Sequence, residues 1–140
     1  MTPSTIPFAQ QRLVCVMLLV GIVLYSIGAA VALQVNDGKG FSPDLPAEIG
    51  LVCWALGGGL LVAAFVVRAA LLRAVENAPP AERAARRFPA LLAPIAILEG
   101  GALFGITIWM LLGDPVPGLV VACVLFAAAV FLIPLSDPDA

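Results

Sequence analysis

Between Leu13 and Leu33 the chain runs for 21 residues without a charged side chain. Three more stretches repeat the pattern. Ile49 to Val67 is 19 residues with no charge, Phe88 to Leu112 is 25 with one (Glu99), and Pro117 to Leu135 is 19 with none. A helix rises 1.5 Å per residue, so about 20 apolar residues cross the ~30 Å hydrocarbon core of a bilayer. The lengths exceed the ~10-residue strands of membrane barrels, and no stretch alternates with period two. The reading is an all-α membrane fold. It predicts four transmembrane helices over about 13–33, 49–72, 88–112 and 117–135, forming an antiparallel bundle that is one domain across residues 1–140.

Composition agrees. Hydrophobic residues make up 62% of the 140 and charged residues 11%, against roughly 25% charged in a soluble domain. Disorder needs the opposite balance. Histidine is absent, which removes the triads and the mixed His/Cys zinc sites that need it. Cys15, Cys53 and Cys123 lie far apart in apolar runs, with no CxxC pair and too few thiols for a four-cysteine site. They are expected to be small buried hydrophobes. No metal, cofactor or catalytic constellation is implied. A net charge of −2 without a basic tract gives no footing for nucleic acid.

The connections are distinct. Residues 34–48 carry Asn36, Asp37, Gly38, Lys39, Gly40, Ser42, Pro43, Asp44 and Pro46, a polar turn-rich loop. Residues 68–87 form an Arg-rich segment broken at Pro79 and Pro80. Helix two is expected to run past the apolar stretch to about Val75. Ala81 to Arg87 can start helix three, with Glu82 and Arg86 at a favourable i, i+4 spacing. Gly113-Asp114-Pro115-Val116 is a tight turn between helices three and four.

Basic residues set the orientation. With four spans, Arg12, Arg68, Arg73, Arg83, Arg86 and Arg87 share one face and Lys39 stands alone on the other. The positive-inside rule places the Arg-rich face, and with it both termini, in the cytoplasm. The arginines are read as topology signals that contact anionic headgroups. The expected location is a bacterial inner membrane, multi-pass, with the lipid bilayer as the first partner. Arg12, an apolar run and Ala30-Val31-Ala32 also resemble a signal peptide with its cleavage site, but the run exceeds the usual 7–15 residues, so the helix is expected to be retained.

Fifteen of the sixteen charges lie outside the apolar stretches. The exception is Glu99, near the bilayer middle, where a charge costs roughly 2.5–3.5 kcal/mol even on the lenient insertion scale. Two readings stand: a protonatable group that exchanges a proton or cation, or a hydrogen-bonding glue between helices. Counted at 1.5 Å per residue, Glu99 lies roughly 16 Å from its cytoplasmic span end, Tyr25 roughly 18 Å and Gly57, Gly58 and Gly59 roughly 12–15 Å. Tyr25 and the glycine triad are therefore candidate neighbours, and Ala55, Gly59 and Ala63 form a small-residue stripe. Pro94 is expected to kink helix three. Gly101 and Gly105 form a GxxxG pair on a side of the helix away from Glu99. Gly118 and Ala122 are available for packing on an otherwise lipid-facing fourth helix. Trp109, and less firmly Trp54, suit interface anchors.

Residues 50–112 carry Leu56-Gly57-Gly58-Gly59, then Val75-Glu76-Asn77-Ala78-Pro79-Pro80, then Ala96-Ile97-Leu98-Glu99-Gly100-Gly101-Ala102-Leu103-Phe104-Gly105. This order resembles the proteolipid subunit c of rotary ATP synthases, a hairpin of a glycine-rich helix, a short polar cytoplasmic loop and a helix with a central carboxylate. The resemblance implies that Glu99 carries a proton or sodium ion. Small multidrug transporters are also four-helix proteins with one membrane glutamate, placed in their first helix. Two functional expectations follow. The first is a non-catalytic subunit or accessory protein, a homo-oligomer or part of a membrane complex, with a buried protonatable Glu99. The second is an ion-translocating proteolipid or small ion-coupled transporter. An enzyme is not expected.

Overall fold

Apolar runs as long as these leave the backbone one way to satisfy its own hydrogen bonds away from water, and the chain takes it. In the computed structural model, which describes residues 7–46 and 48–133, those residues form helices α1 (Phe8–Val35), α2 (Glu48–Glu76), α3 (Pro80–Leu112) and α4 (Gly118–Leu132), with no strand among them. Three of these are long and apolar enough to cross a membrane: Ala9–Val35, Glu48–Glu76 and Pro80–Leu112.

The ends follow local chemistry. Pro79 and Pro80 do separate α2 from α3. Pro79 is the N-cap of α3 and Pro80 opens its first turn, where a missing N–H costs nothing. Glu82 stands in that first turn and suits the positive end of the helix dipole. The Arg-rich segment is therefore mostly helical, the tip of a helical hairpin, with only residues 77–79 between the helices. α3 begins at Pro80, one residue before the expected helix start at Ala81, and runs as one helix through both Pro89 and Pro94. It ends at Gly113, which is left-handed at φ 76° and whose N–H reaches the Trp109 carbonyl at 2.8 Å.

α4 is shorter than expected. It covers 118–132, so it is about 22 Å long. Ile133 leaves the helix with an extended backbone, as a residue preceding proline tends to do. The expected last span residues, 134 and 135, and the C-terminal segment assigned to the cytoplasm lie outside the described residues.

α3 is the central helix. It packs on α1, α2 and α4, while α1 and α2 do not contact each other. Cross-contacts give the directions. Gly105 meets Gly118 and Ala122, and Gly101 meets Leu125, so α3 and α4 are antiparallel. Gly57 meets Val121, and Arg68 reaches the Leu132 carbonyl, so α2 and α4 are parallel. The GxxxG pair of α3 thus packs on α4, on the side away from Glu99. α4 is correspondingly a packed helix, with Gly118, Val121, Ala122, Leu125, Ala129 and Leu132 buried. Ile95, Leu98, Ile106 and Leu125 are the largest fully buried side chains of the core.

The α1–α2 loop lies across the far end of α3. The Phe41 N–H donates to the Met110 carbonyl at 3.3 Å and the Ser42 N–H to the Leu111 carbonyl at 2.8 Å. These bonds satisfy carbonyls that a helix end otherwise leaves open. Cys15 and Cys53 are buried, as expected, but Cys123 is exposed on the outer side of α4. Its position two residues after buried Val121 turns it away from α3.

Candidate functional site: the Glu99 seam

Glu99 sits in the middle of α3, between buried Leu98 and exposed Gly100. Its Oε1 lies 3.7 Å from where a Cβ on Gly21 of α1 would stand. The glycine lets the carboxyl lie along the surface of α1. The side chain is half-buried, and its carboxyl makes no hydrogen bond to any described residue. No buried side-chain polar atom in the described residues lacks a partner, so both carboxyl oxygens reach the surface of the bundle.

A helix turns about 100° per residue, which fixes the sides of α3. Glu99 lies against α1 and Thr107 is reached by Tyr25 of α1, Gly101 faces both Leu125 of α4 and Leu60 of α2, and Gly105 faces α4. Ala96 and Gly100 lie about 60° and 100° round α3 from Glu99, on either side of Thr107, and are exposed. A Cβ on Gly100 would meet nothing within 4 Å. α1 and α2 thus flank α3, α4 covers its back, and the front of α3 is open. Glu99 stands on the α1 edge of that open front.

The expected neighbours of Glu99 are distributed differently. Tyr25 does approach α3 from α1, but its hydroxyl pairs with Thr107 Oγ1 at 3.0 Å. Thr107 donates to the Leu103 carbonyl at 2.9 Å, which leaves its oxygen to accept from Tyr25. Ser26 donates to its own helix, at the Ile22 carbonyl. Of the glycine triad, Gly57 is buried against Val121 of α4, while Gly58 and Gly59 face outward with nothing within 4 Å of an added Cβ. The triad does not line the carboxyl. Ala55 and Gly59 of the small-residue stripe are exposed and Ala63 is half-buried. Counted depth placed these residues only to within about a turn and said nothing of their direction. Gly21 and Thr107 were missed for that reason, although Thr107 is a hydroxyl two turns beyond the acid.

The arginines divide by role. Arg68 donates to the Leu132 carbonyl at 3.1 Å and caps the end of α4. Arg83 Nε donates to the Ala78 carbonyl at 2.9 Å across the α2–α3 turn. Arg86 pairs with Glu82 at 2.6 Å on an exposed surface, the i, i+4 pair expected, and worth only a few tenths of a kcal/mol. Arg73 is exposed and Arg87 half-buried. Trp54 is exposed on α2, and Trp109 packs against the core near Gly118.

A shallow apolar crevice opens between α1 and α4, lined by Ile22, Val23, Ser26, Leu119, Cys123 and Phe126. It contains no charged group, and it leaves Glu99 as the chemically distinctive residue of the helical core. No family model matches the chain, and no curated protein or solved structure does either. The functional reading therefore rests on these residues.

Proposed function

We propose that this chain is a small polytopic protein of a bacterial inner membrane, a non-catalytic subunit or accessory protein that uses Glu99 as a hydrogen-bonding group between helices of an assembly. In this reading α1 to α4 are four spans, with both termini and the Arg-rich hairpin tip in the cytoplasm. The support for topology is the basic-residue asymmetry, six against one. The observation that carries the function is the position of Glu99. A half-buried carboxyl at the edge of an open helix face, without a partner among the described residues, calls for one when it stands in hydrocarbon.

A second reading is supported by the same exposure. A carboxyl that opens onto the side of a bundle can exchange an ion with a neighbouring subunit, as the likeness of residues 50–112 to proteolipid subunit c suggests. Purified protein in liposomes under a pH or sodium gradient separates the two. The first reading expects no flux above protein-free vesicles, for the wild type and for Glu99→Gln alike, and loss of assembly in Glu99→Leu. Wild-type flux that Glu99→Gln abolishes, with carbodiimide labelling of Glu99 blocked by sodium, would overturn it in favour of ion transport.

A further inference from the structure

We propose that the chain beyond α4 continues along the groove between α2 and α3 and sets Asp137 and Asp139 against Arg87 and Arg83. The acidic segment that follows α4 is thus the partner of the arginine-bearing hairpin tip. The contact is separate from Glu99 and does not depend on the assembly reading above.

The register of the helices leads there. Gly101 and Gly105 carry the side of α3 that α4 covers. Arg83 and Arg87 each stand 18 residues earlier, which is about five full turns at 3.6 residues per turn. The side of α3 that packs on α4 therefore continues, past the end of α4, as two arginines. α2 matches it. Gly57 meets Val121 of α4, and buried Val75 follows 18 residues later on the same side of the helix. α4 stops short of this stretch. Its last turn is fastened to α2 by the bond from Arg68 to the Leu132 carbonyl. α4 runs parallel to α2, so the chain leaves it heading for the hairpin tip, and Ile133 leaves with an extended backbone.

Reach and charge select the occupant. The antiparallel contacts of α3 and α4 put Ile133 level with Ala93, which leaves Arg87 about 9 Å and Arg83 about 15 Å further along α3. The chain continues as Pro134-Leu135-Ser136-Asp137-Pro138-Asp139. The two prolines oppose a helix there and favour extended backbone. At about 3.3 Å per residue, Asp137 reaches about 13 Å beyond Ile133 and Asp139 about 20 Å. Both reaches cover the advance along α3 and leave length for the step across from α4. The spacings agree as well: the two acids stand about 6.6 Å apart in extended chain, the two arginines about 6 Å apart along the helix. Arg83 is steadied against the turn by its bond to the Ala78 carbonyl, and Arg86, on a neighbouring side, is already paired with Glu82. An anionic headgroup would offer these arginines the same chemistry, so the docked segment withholds them from lipid.

The test is zero-length coupling of the full chain in phosphatidylcholine vesicles. A water-soluble carbodiimide joins an amine to a carboxylate in contact with it as an amide, and takes up the elements of water to become a urea. Arg87→Lys and Arg83→Lys keep the positive charge and supply the amine, and Lys39 is the one native lysine. Peptide mass spectrometry is expected to find position 87 linked to Asp137 and position 83 linked to Asp139, within one chain. Arg73→Lys is the control. It is level with Arg87 but turned about 160° from the side of α2 that meets α4, so it should give no link to either acid. The yield should fall several-fold in 1 M sodium chloride, where the screening length is about 3 Å. Absence of both links, equal links from Arg73→Lys, links only between chains, or a yield indifferent to salt overturns the proposal. A link that forms in phosphatidylcholine and is lost in phosphatidylglycerol vesicles assigns these arginines to headgroups and overturns it too.

Discussion

Gly105 of α3 and Gly118 of α4 meet backbone to backbone. A Cβ on Gly105 would lie 2.6 Å from the Gly118 carbonyl oxygen, and one on Gly118 would lie 2.5 Å from the Gly105 carbonyl oxygen. Neither obstacle is a side chain that can rotate away. The hairpin of α3 and α4 is therefore held by a contact that only glycine permits on both sides.

Gly105→Val should separate the two helices at this point and cost about 1–3 kcal/mol or more, the range for overpacking a dense core. Gly58→Ala is the matched control. Its Cβ meets nothing, so it should be neutral or should stabilise the helix by up to about 1 kcal/mol. Thermal unfolding in detergent, followed by circular dichroism, measures both. Equal effects from the two substitutions would contradict the packing described.

Arg68→Gln removes the charged donor from the Leu132 carbonyl. A hydrogen bond to a charged group is worth roughly 1.5–3 kcal/mol, and part of that should be lost as fraying confined to the last turn of α4. Amide hydrogen exchange near residues 129–133 should rise while the α2–α3 turn stays protected. An unchanged exchange pattern would show that the capping contact contributes nothing.

Tyr25 and Thr107 join α1 to α3 by one side-chain hydrogen bond. Such bonds in membrane proteins average about 0.6 kcal/mol in double-mutant cycles. Tyr25→Phe with Thr107→Val should give a coupling of that size.

Gly113→Ala faces two penalties. Its φ of 76° disfavours any L-residue, and its Cβ would run into the Gly40 backbone of the loop. Gly38→Ala faces only the first, since φ is 74° and the space is open. A left-handed residue costs roughly 1–2 kcal/mol, so Gly38→Ala should lose about that, and Gly113→Ala distinctly more. Comparing the two melting temperatures isolates the contribution of the loop docked on α3.

How far the sequence reaches is visible in particular residues. Charge-free runs announced the helices, because their length is set by what a backbone must do away from water. The break at Pro79 and Pro80 and the Glu82–Arg86 pair were also readable, since both depend on neighbours within one turn. Pro89 and Pro94 both fall inside the expected third helix, and α3 runs through them. The early stop of α4 was legible in principle from Pro134, which restrains Ile133. The site was legible in one residue only. Glu99 is conspicuous as an acid among apolar residues, but its neighbour Gly21 has no chemical signature, and direction around a helix emerges only when helices pack. Tyr25 stands one turn beyond Gly21 and pairs with Thr107 instead of the carboxyl, and Gly57 packs on Val121 of α4.

The short α4 has a further consequence. At about 22 Å it is some 8 Å less than a typical ~30 Å hydrocarbon core, while α1, α2 and α3 are all longer than that core requires. A bilayer meeting this molecule would be pinched beside α4 and at full thickness elsewhere. Mismatch of this kind costs fractions of a kcal/mol per Å and sorts proteins among membranes. In the four-span arrangement proposed above, the molecule would favour thinner lipid patches, and would meet them with its α4 flank first.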